Sequence, residues 1–130
     1  PYHNMLISIP VSVGELFDKI SILDIKTKKI KNKNDLKLIK YELSKLRKIV
    51  KDKKLSNTDI KKKYQSLKLI NQKLWNIENQ KRKCEKLNKF DKNFISLARK
   101  VYIFNDKRAF LKKEINRLSG SSIVEVKLHK

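Results

Sequence analysis

Apolar residues recur at helical spacing along most of this chain, and the breaks between the periodic stretches carry helix caps. The first stretch opens at Ser12 and Glu15, which stand at capping-box spacing, so Ser12 accepts the Glu15 amide while the Glu15 carboxylate reaches back to the Ser12 amide. A helix is expected from Val13 to Lys31, with Leu16, Ile20, Leu23 and Ile30 on one stripe and Ile22 and Ile25 on another. Asn32 to Asp35 is a turn, and Asn34 or Asp35 is expected to cap a second helix through Leu36, Ile39, Leu43, Leu46 and Val50. Lys51 to Lys54 is a charged connector. Ser56 with Asp59 predicts the cap of a third helix that runs to about Leu87, with Ile60, Tyr64, Leu67, Leu74 and Ile77 facing inward.

A last long helix starts at Asp91, with Phe90 and Ile95 at hydrophobic-staple spacing. Its apolar line is Leu97, Val101, Phe104, Leu111, Ile115 and Leu118, interrupted by Arg108 and ended by Gly120 in left-handed geometry. At the two ends, Leu6 to Val11 and Ser122 to Leu128 alternate as strands do. Two marginal strands most simply pair with each other over a helical surface. The fold class expected is mainly α: a bundle of three to four antiparallel helices with a small two-stranded antiparallel ribbon formed by the N- and C-terminal segments. Pro1 to Asn4 reads as a remnant ahead of a natural start at Met5, which leaves 5–130 as a single helical domain.

Composition agrees with this pattern and adds a charge question. Glycine and proline occur twice each and 36% of the 130 residues are charged, a balance that suits long helices. No apolar run approaches the roughly 18 to 20 residues of a membrane span, and Met5-Leu-Ile-Ser-Ile-Pro10 is too short for a secretory signal. The lone Cys84 cannot form an internal disulfide and fits a reducing compartment, so a cytoplasmic location is expected. Lysines and arginines outnumber acids 34 to 13, giving a net charge of +21. The bias toward Lys, Ile and Asn suits an AT-rich genome, whose codons also serve acidic residues, so codon usage leaves the excess of cations incompletely explained. A basic surface of this size attracts polyanions in a salt-sensitive way.

Candidate chemistry lies where charge enters apolar faces, because a charge stranded in an interior costs several kcal/mol unless it is paired. On the first helix Glu15, Lys19 and Lys26 run between the two apolar stripes, with Asp18 close by. On the third, Asn71, Trp75, Glu78, Arg82 and Glu85 form one line beside the apolar seam, and Trp75 is either a core or rim aromatic or a stacking platform. On the fourth, Arg99, Tyr102 and Asp106 share a line next to Asn105 and Arg108. The chain has only five arginines, and three of them, Arg82, Arg99 and Arg108, fall on these stripes. Bidentate pairing with a carboxylate or phosphate is the task that lysine performs poorly. The stripes are expected to face one another, with Glu15, Asp18 and Glu78 available to the arginines. Such a set serves as a register-fixing ion-pair network, an anion pocket or a catalytic site, and the residues alone leave the three open.

Familiar catalytic and binding motifs are missing. His3 and His129 sit at the ends, Gly14 and Gly120 stand alone, and Cys84 has basic neighbours without a nearby histidine. No metal site or cofactor is therefore expected. No helix-turn-helix, ribonucleoprotein motif or finger is present, so nucleic acid, if a partner, binds through its backbone and without sequence preference.

Three segments together resemble a known family. They are Val11 to Lys26; Leu74-Trp-Asn-Ile-Glu78 with Arg82 and Glu85; and Phe90-Asp91 through Phe94-Ile-Ser-Leu-Ala-Arg99, Val101-Tyr102, Asn105-Asp-Lys-Arg-Ala109 and Ile115-Asn116. In this order they are similar to an uncharacterised family of short bacterial and phage-borne helical proteins, a domain of unknown function numbered 6165. The chain departs from that family at Asn79, where the family has an acid, and at Val124, where it has glutamate. The resemblance implies that Glu15, Asp18, Lys19, Lys26, Glu78, Arg82, Arg99, Asn105, Asp106 and Arg108 belong to a shared pattern and the lysine-rich stretches do not. It also implies an accessory binding role near surface-glycan synthesis.

The leading functional expectation is a small non-enzymatic binding protein with an Arg/Glu-lined polar site between helices for a phosphorylated or sugar-nucleotide ligand. The alternatives are a non-specific nucleic-acid or polyanion binder acting through the lysine surface, and a small enzyme using Glu15, Glu78 or Asp106 in acid/base chemistry. Long helices of this kind complete their packing equally well in a homodimer, so that partner stays open.

Overall fold

The computed structural model describes residues 5–121, in which four helices carry nearly all the ordered backbone: α1 (Val13–Lys29), α2 (Lys33–Asp52), α3 (Thr58–Lys86) and α4 (Lys92–Ser119). Short connections fold α2 back on α1 and α4 back on α3. The backbone of α1 lies close to all three other helices, whereas α2 approaches only α1. The core accordingly gathers around α1: Leu16, Phe17, Ile20 and Leu23 are buried against Leu43 of α2, Ile60 and Leu67 of α3, and Ile115 of α4.

At 1.5 Å per residue, α3 and α4 are each about 43 Å long and α1 about 25 Å. The α3–α4 hairpin therefore outreaches α1, and its far end is held by a smaller cluster of its own, Ile77, Cys84 and Leu97 with Phe94, Val101 and Phe104.

Among the described residues no strand is present. Leu6 to Val11, expected as half of a terminal ribbon, is irregular and exposed, with Leu6, Ile7 and Ile9 about 70% accessible: 68%, 77% and 68%. Alternation alone makes no strand when no described neighbour takes its backbone hydrogen bonds. The other half, Ser122 to Leu128, lies outside the described residues.

Several caps follow from the sequence and several shift by one or two residues. Ser12 Oγ accepts from the Glu15 amide at 3.0 Å, and Asp91 accepts from the amides of Asn93 and Phe94. The second helix is capped by Asn32 in place of Asn34 or Asp35, and the third by Asn57 in place of Ser56. An asparagine carbonyl serves as well as a hydroxyl at this position, so neighbouring polar residues compete for it. The hydrophobic staple does not form. Phe90 stacks edge-on against Phe94 with ring centroids 5.1 Å apart, and Ile95 is exposed.

The C-termini of α2, α3 and α4 share one closure. Lys54, Asn88 and Gly120 each adopt positive φ, and the amide of the following residue donates to the carbonyl five positions back: Leu55 to Val50, Lys89 to Cys84 and Ser121 to Asn116.

A polar junction ties α1 to α2 and α3 away from the main site. The Asp24 carboxylate accepts from Arg47 of α2 and, at 2.7 Å, from the Tyr64 hydroxyl of α3, with Lys68 3.9 Å away. Burial pushes the Tyr64 phenol well above its ordinary value of 10.0, and the hydrogen bond to Asp24 adds to this. A raised folded-state pKa contributes stability below pH 10, where the phenol is neutral in both states, and that contribution fades as pH rises further. Wild type should therefore exceed Tyr64→Phe in stability below this value, by about 1 kcal/mol for the lost hydrogen bond. The gap should close in more alkaline solution, as read from urea midpoints; a gap that persists unchanged would refute this account of the phenol.

Candidate functional site

Asp18 is the anchor of the polar interior. Its side chain is 1% exposed, yet a carboxylate at this depth is tolerated because every oxygen is engaged. Arg108 of α4 grips it bidentately, Nε to Oδ1 at 2.8 Å and Nη2 to Oδ2, and the Asn71 amide of α3 donates to Oδ1 at 2.9 Å. Asn71 also donates to Ser21 Oγ at 2.7 Å, and Ser21 Oγ in turn donates to the Asp18 carbonyl. Three helices are thereby fastened at one carboxylate, and the Arg108 guanidinium is held flat in one orientation.

Close packing of α1 on α4 creates the neighbouring feature. The amides of the first turn of α1 are satisfied one by one: Val13 by Ser121 Oγ, Gly14 by Asn116 Oδ1 at 2.6 Å, and Glu15 by Ser12. Asn116 caps α1 from outside because Gly14 has no side chain to keep α4 away. A Cβ built on Gly14 would lie 2.3 Å from the Lys112 carbonyl oxygen. The same approach brings the Glu15 carboxylate to Lys112 Nζ, 2.7 Å away, so Glu15 does not complete the expected capping box.

Between these elements lies a half-open cavity of about 380 Å³ lined by Glu15, Asn105, Arg108, Ala109, Lys112, Lys113 and Asn116. Its size is in the range of small-molecule sites, which run from roughly 300 to 1,000 Å³. Three cations and two amide side chains converge on it against one carboxylate. Lys112 is 8% exposed, an unusual depth for lysine, and the bond to Glu15 satisfies its charge. Such a wall offers planar and point-charge donors together, the combination that suits a phosphoryl or carboxylate group.

Of the ten residues expected at a ligand site, Glu15, Asn105 and Arg108 line this cavity, and Asp18 orients Arg108 from behind it. The other six lie elsewhere. Lys19 pairs with Glu42 on the surface at 3.1 Å; Lys26 is half-buried on the last turn of α1 and does not line the cavity. Among the described residues Glu78 meets only Lys81 of its own helix, at 3.7 Å, and Arg82 and Arg99 are exposed. Asp106 is exposed and borders a different groove. Thus the three polar stripes do not face one another along their whole length. They meet at Asp18, Asn71 and Arg108, and beyond the end of α1 there is, among the described residues, no third helix for Glu78, Arg82 or Arg99 to meet. Trp75 is half-buried at the edge of a smaller pocket of about 240 Å³ with Ile25, Lys28, Lys29, Gln72 and Asn76.

Lys112, Lys113 and Asn116 were not expected at the site, although Asn116 falls in one of the segments that carry the family resemblance. The signal was present, since Asn105, Arg108, Lys112 and Asn116 step by three, four and four along one face of α4. In a chain with lysine nearly everywhere, one more lysine carried no information by itself. Among the described residues no three His, Cys, Asp or Glu side chains gather as metal ligands, and no helix is long and apolar enough to cross a membrane.

No family model, no curated protein and no solved structure matches this chain.

Proposed function

We propose that the α1–α4 cavity binds a small anionic ligand, a phosphorylated metabolite of the sugar-nucleotide kind, and that the protein is a binding module and not a catalyst. The observation that carries this reading is the convergence of Arg108, Lys112 and Lys113 on one cavity, with Arg108 fixed by a buried carboxylate and Lys112 by Glu15. Preorganised donors lose little freedom when a ligand arrives. The resemblance to the uncharacterised family supports the same reading, and we propose membership of it and an accessory role in surface-glycan synthesis on that ground. Of the carboxylates considered for acid/base catalysis, Glu15 alone lines the cavity, and its bond to Lys112 suits charge balance better than proton transfer.

The competing reading, a polyanion binder, rests on the exposed lysines of α2 and the net charge of +21. Thermal unfolding distinguishes the two. Inorganic phosphate, pyrophosphate and a nucleoside diphosphate sugar should be screened at matched ionic strength, with a short oligonucleotide beside them. A ligand at a hundred times its Kd stabilises by about 2.7 kcal/mol, a rise in Tm of several degrees for a chain of this size. Protection by a phosphorylated small molecule should survive added sodium chloride and disappear in Lys113→Ala, whose exposed side chain can be removed without disturbing the fold. Protection by the oligonucleotide alone, erased by salt and indifferent to Lys113, would select the lysine surface and end the pocket reading.

A further inference from the structure

Where α1 ends on α3, the smaller pocket of about 240 Å³ shares no lining residue with the α1–α4 cavity. α1 stops at Lys29 while α3 runs on to Lys86, and the step between them is walled by Lys28 and Lys29 on one side and by Gln72, Trp75 and Asn76 on the other. Ile25, buried to 3% exposure, supplies the apolar part of the lining. Residues 28 and 29 stand three and four positions after Ile25, as residues 75 and 76 do after Gln72, so each helix presents one face to the pocket.

The side chains of this lining are uncommitted. Trp75, the only tryptophan in the sequence, is half-buried, and among the described residues its indole makes no hydrogen bond, ring contact or cation contact. Among the same residues the side-chain amides of Gln72 and Asn76 make no hydrogen bond, and the ammonium groups of Lys28 and Lys29 make no ion pair. No carboxylate is among the described lining residues, whereas in the α1–α4 cavity Glu15 already answers Lys112. Each group narrows the ligand. An indole beside an aliphatic side chain stacks a flat ring, amides that both donate and accept read the edge of a ring that carries both, and paired ammonium groups hold a phosphate. A neutral sugar would leave the lysines unused, and inorganic phosphate would leave the indole unused. The volume is below the roughly 300 Å³ at which whole small-molecule pockets begin, which suits one ring held inside with its phosphate at the open rim.

We propose that this pocket holds one nucleotide, its base stacked on Trp75 with an edge toward Gln72 and Asn76, and its phosphate between Lys28 and Lys29. Base plus phosphate is offered both by a free nucleotide and by one unit of a single strand, and the pocket recognises the chemistry common to the two. Salt screens the exposed lysine contacts and leaves the stacking, so added salt weakens binding without abolishing it. The site stands whether or not the α1–α4 cavity takes an anion, because the two have separate walls.

The fluorescence of the chain's single tryptophan, excited at the red edge where nucleotides do not absorb, reports on this pocket. Adenosine monophosphate titrated into the full chain should quench it saturably. It should bind about tenfold tighter than ribose phosphate, which carries the same charge without the base, and tighter than adenosine, which lacks the phosphate. A short oligoadenylate beside it identifies the source: tighter binding per base points to a single strand, weaker binding to a free nucleotide, and either supports the proposal. Lys28→Gln combined with Lys29→Gln should weaken the monophosphate about tenfold, with circular dichroism unchanged because both side chains are exposed. Lys113→Ala, in the wall of the other cavity, should change nothing, so failure here and failure of the α1–α4 site are read from different variants. Equal affinity for adenosine monophosphate and ribose phosphate, quenching that does not saturate, or indifference to the paired lysine replacement overturns the proposal. So does loss of the quenching in Lys113→Ala.

Discussion

Asp18→Asn should lower the stability of this chain by about 3 kcal/mol, with the urea midpoint falling and the slope of the transition unchanged. The side chain is 1% exposed and receives both donors of the Arg108 fork, while Arg108 itself is 29% exposed. Removing the negative charge leaves a guanidinium facing an amide that can return only one good acceptor. Breaking a buried pair from one side usually costs 3 to 5 kcal/mol, and the partial exposure of Arg108 puts the expected loss at about the lower bound. Asp18→Leu combined with Arg108→Met should recover most of it, because the charged pair is then replaced by apolar groups of similar size, with Asn71 losing one of its two acceptors. A double variant as unstable as Asp18→Asn would show that the surrounding packing, and not the stranded charge, sets the loss. The two effects separate further at the cavity, since the double variant should hold its fold and still lose protection by phosphorylated ligands.

Gly14→Ala is the second large effect expected, although alanine is the better helix former by about 1 kcal/mol. The added methyl would lie 2.3 Å from the Lys112 carbonyl oxygen and 3.0 Å from Asn116 Oδ1. The first of these is backbone in the middle of α4 and cannot rotate aside, so α1 has to move away from α4 as a body. That movement takes the Gly14 amide from its Asn116 acceptor and Glu15 from Lys112. Overpacking of this order costs about 1 to 3 kcal/mol, and the helix-propensity gain is too small to offset it. Stability should fall by about 2 kcal/mol, with ligand protection at the cavity lost at the same time. An alanine variant more stable than wild type would mean that the two helices separate easily, and it would remove the structural basis for the cavity.

The helices themselves were legible because apolar spacing and caps agree along the chain. Ser12, Asp91 and Gly120 fulfil the roles their residue types predict. Asn57 was not distinguishable from Ser56, since both are good caps one position apart and only the path of the chain chooses between them. The candidate site was half legible. Asp18 and Arg108 stood out as charges beside apolar seams, and they do meet. Glu78, Arg82 and Arg99 carried the same local signature with a different outcome, because helical periodicity reports which side of a helix a residue occupies and not how far the neighbouring helix extends. The part of α3 and α4 beyond the end of α1 is a two-helix structure in which a third line of residues faces outward. Gly14 gave no signal of its importance, since a close backbone approach is a property of two segments about 100 residues apart and nothing local announces it.

The shared closure of three helices has a consequence for the energetics of the whole chain. Only α4 ends on glycine; at Lys54 and Asn88, side-chain-bearing residues hold the left-handed backbone, which costs an ordinary L-residue roughly 1 kcal/mol and asparagine somewhat less. The hydrogen bonds and the Leu55 contact with the core evidently outweigh that penalty at Lys54. The native state thus contains a small amount of removable strain at two residues that do not line the cavity, and a thermostable version of the protein can be built there without altering the cavity wall.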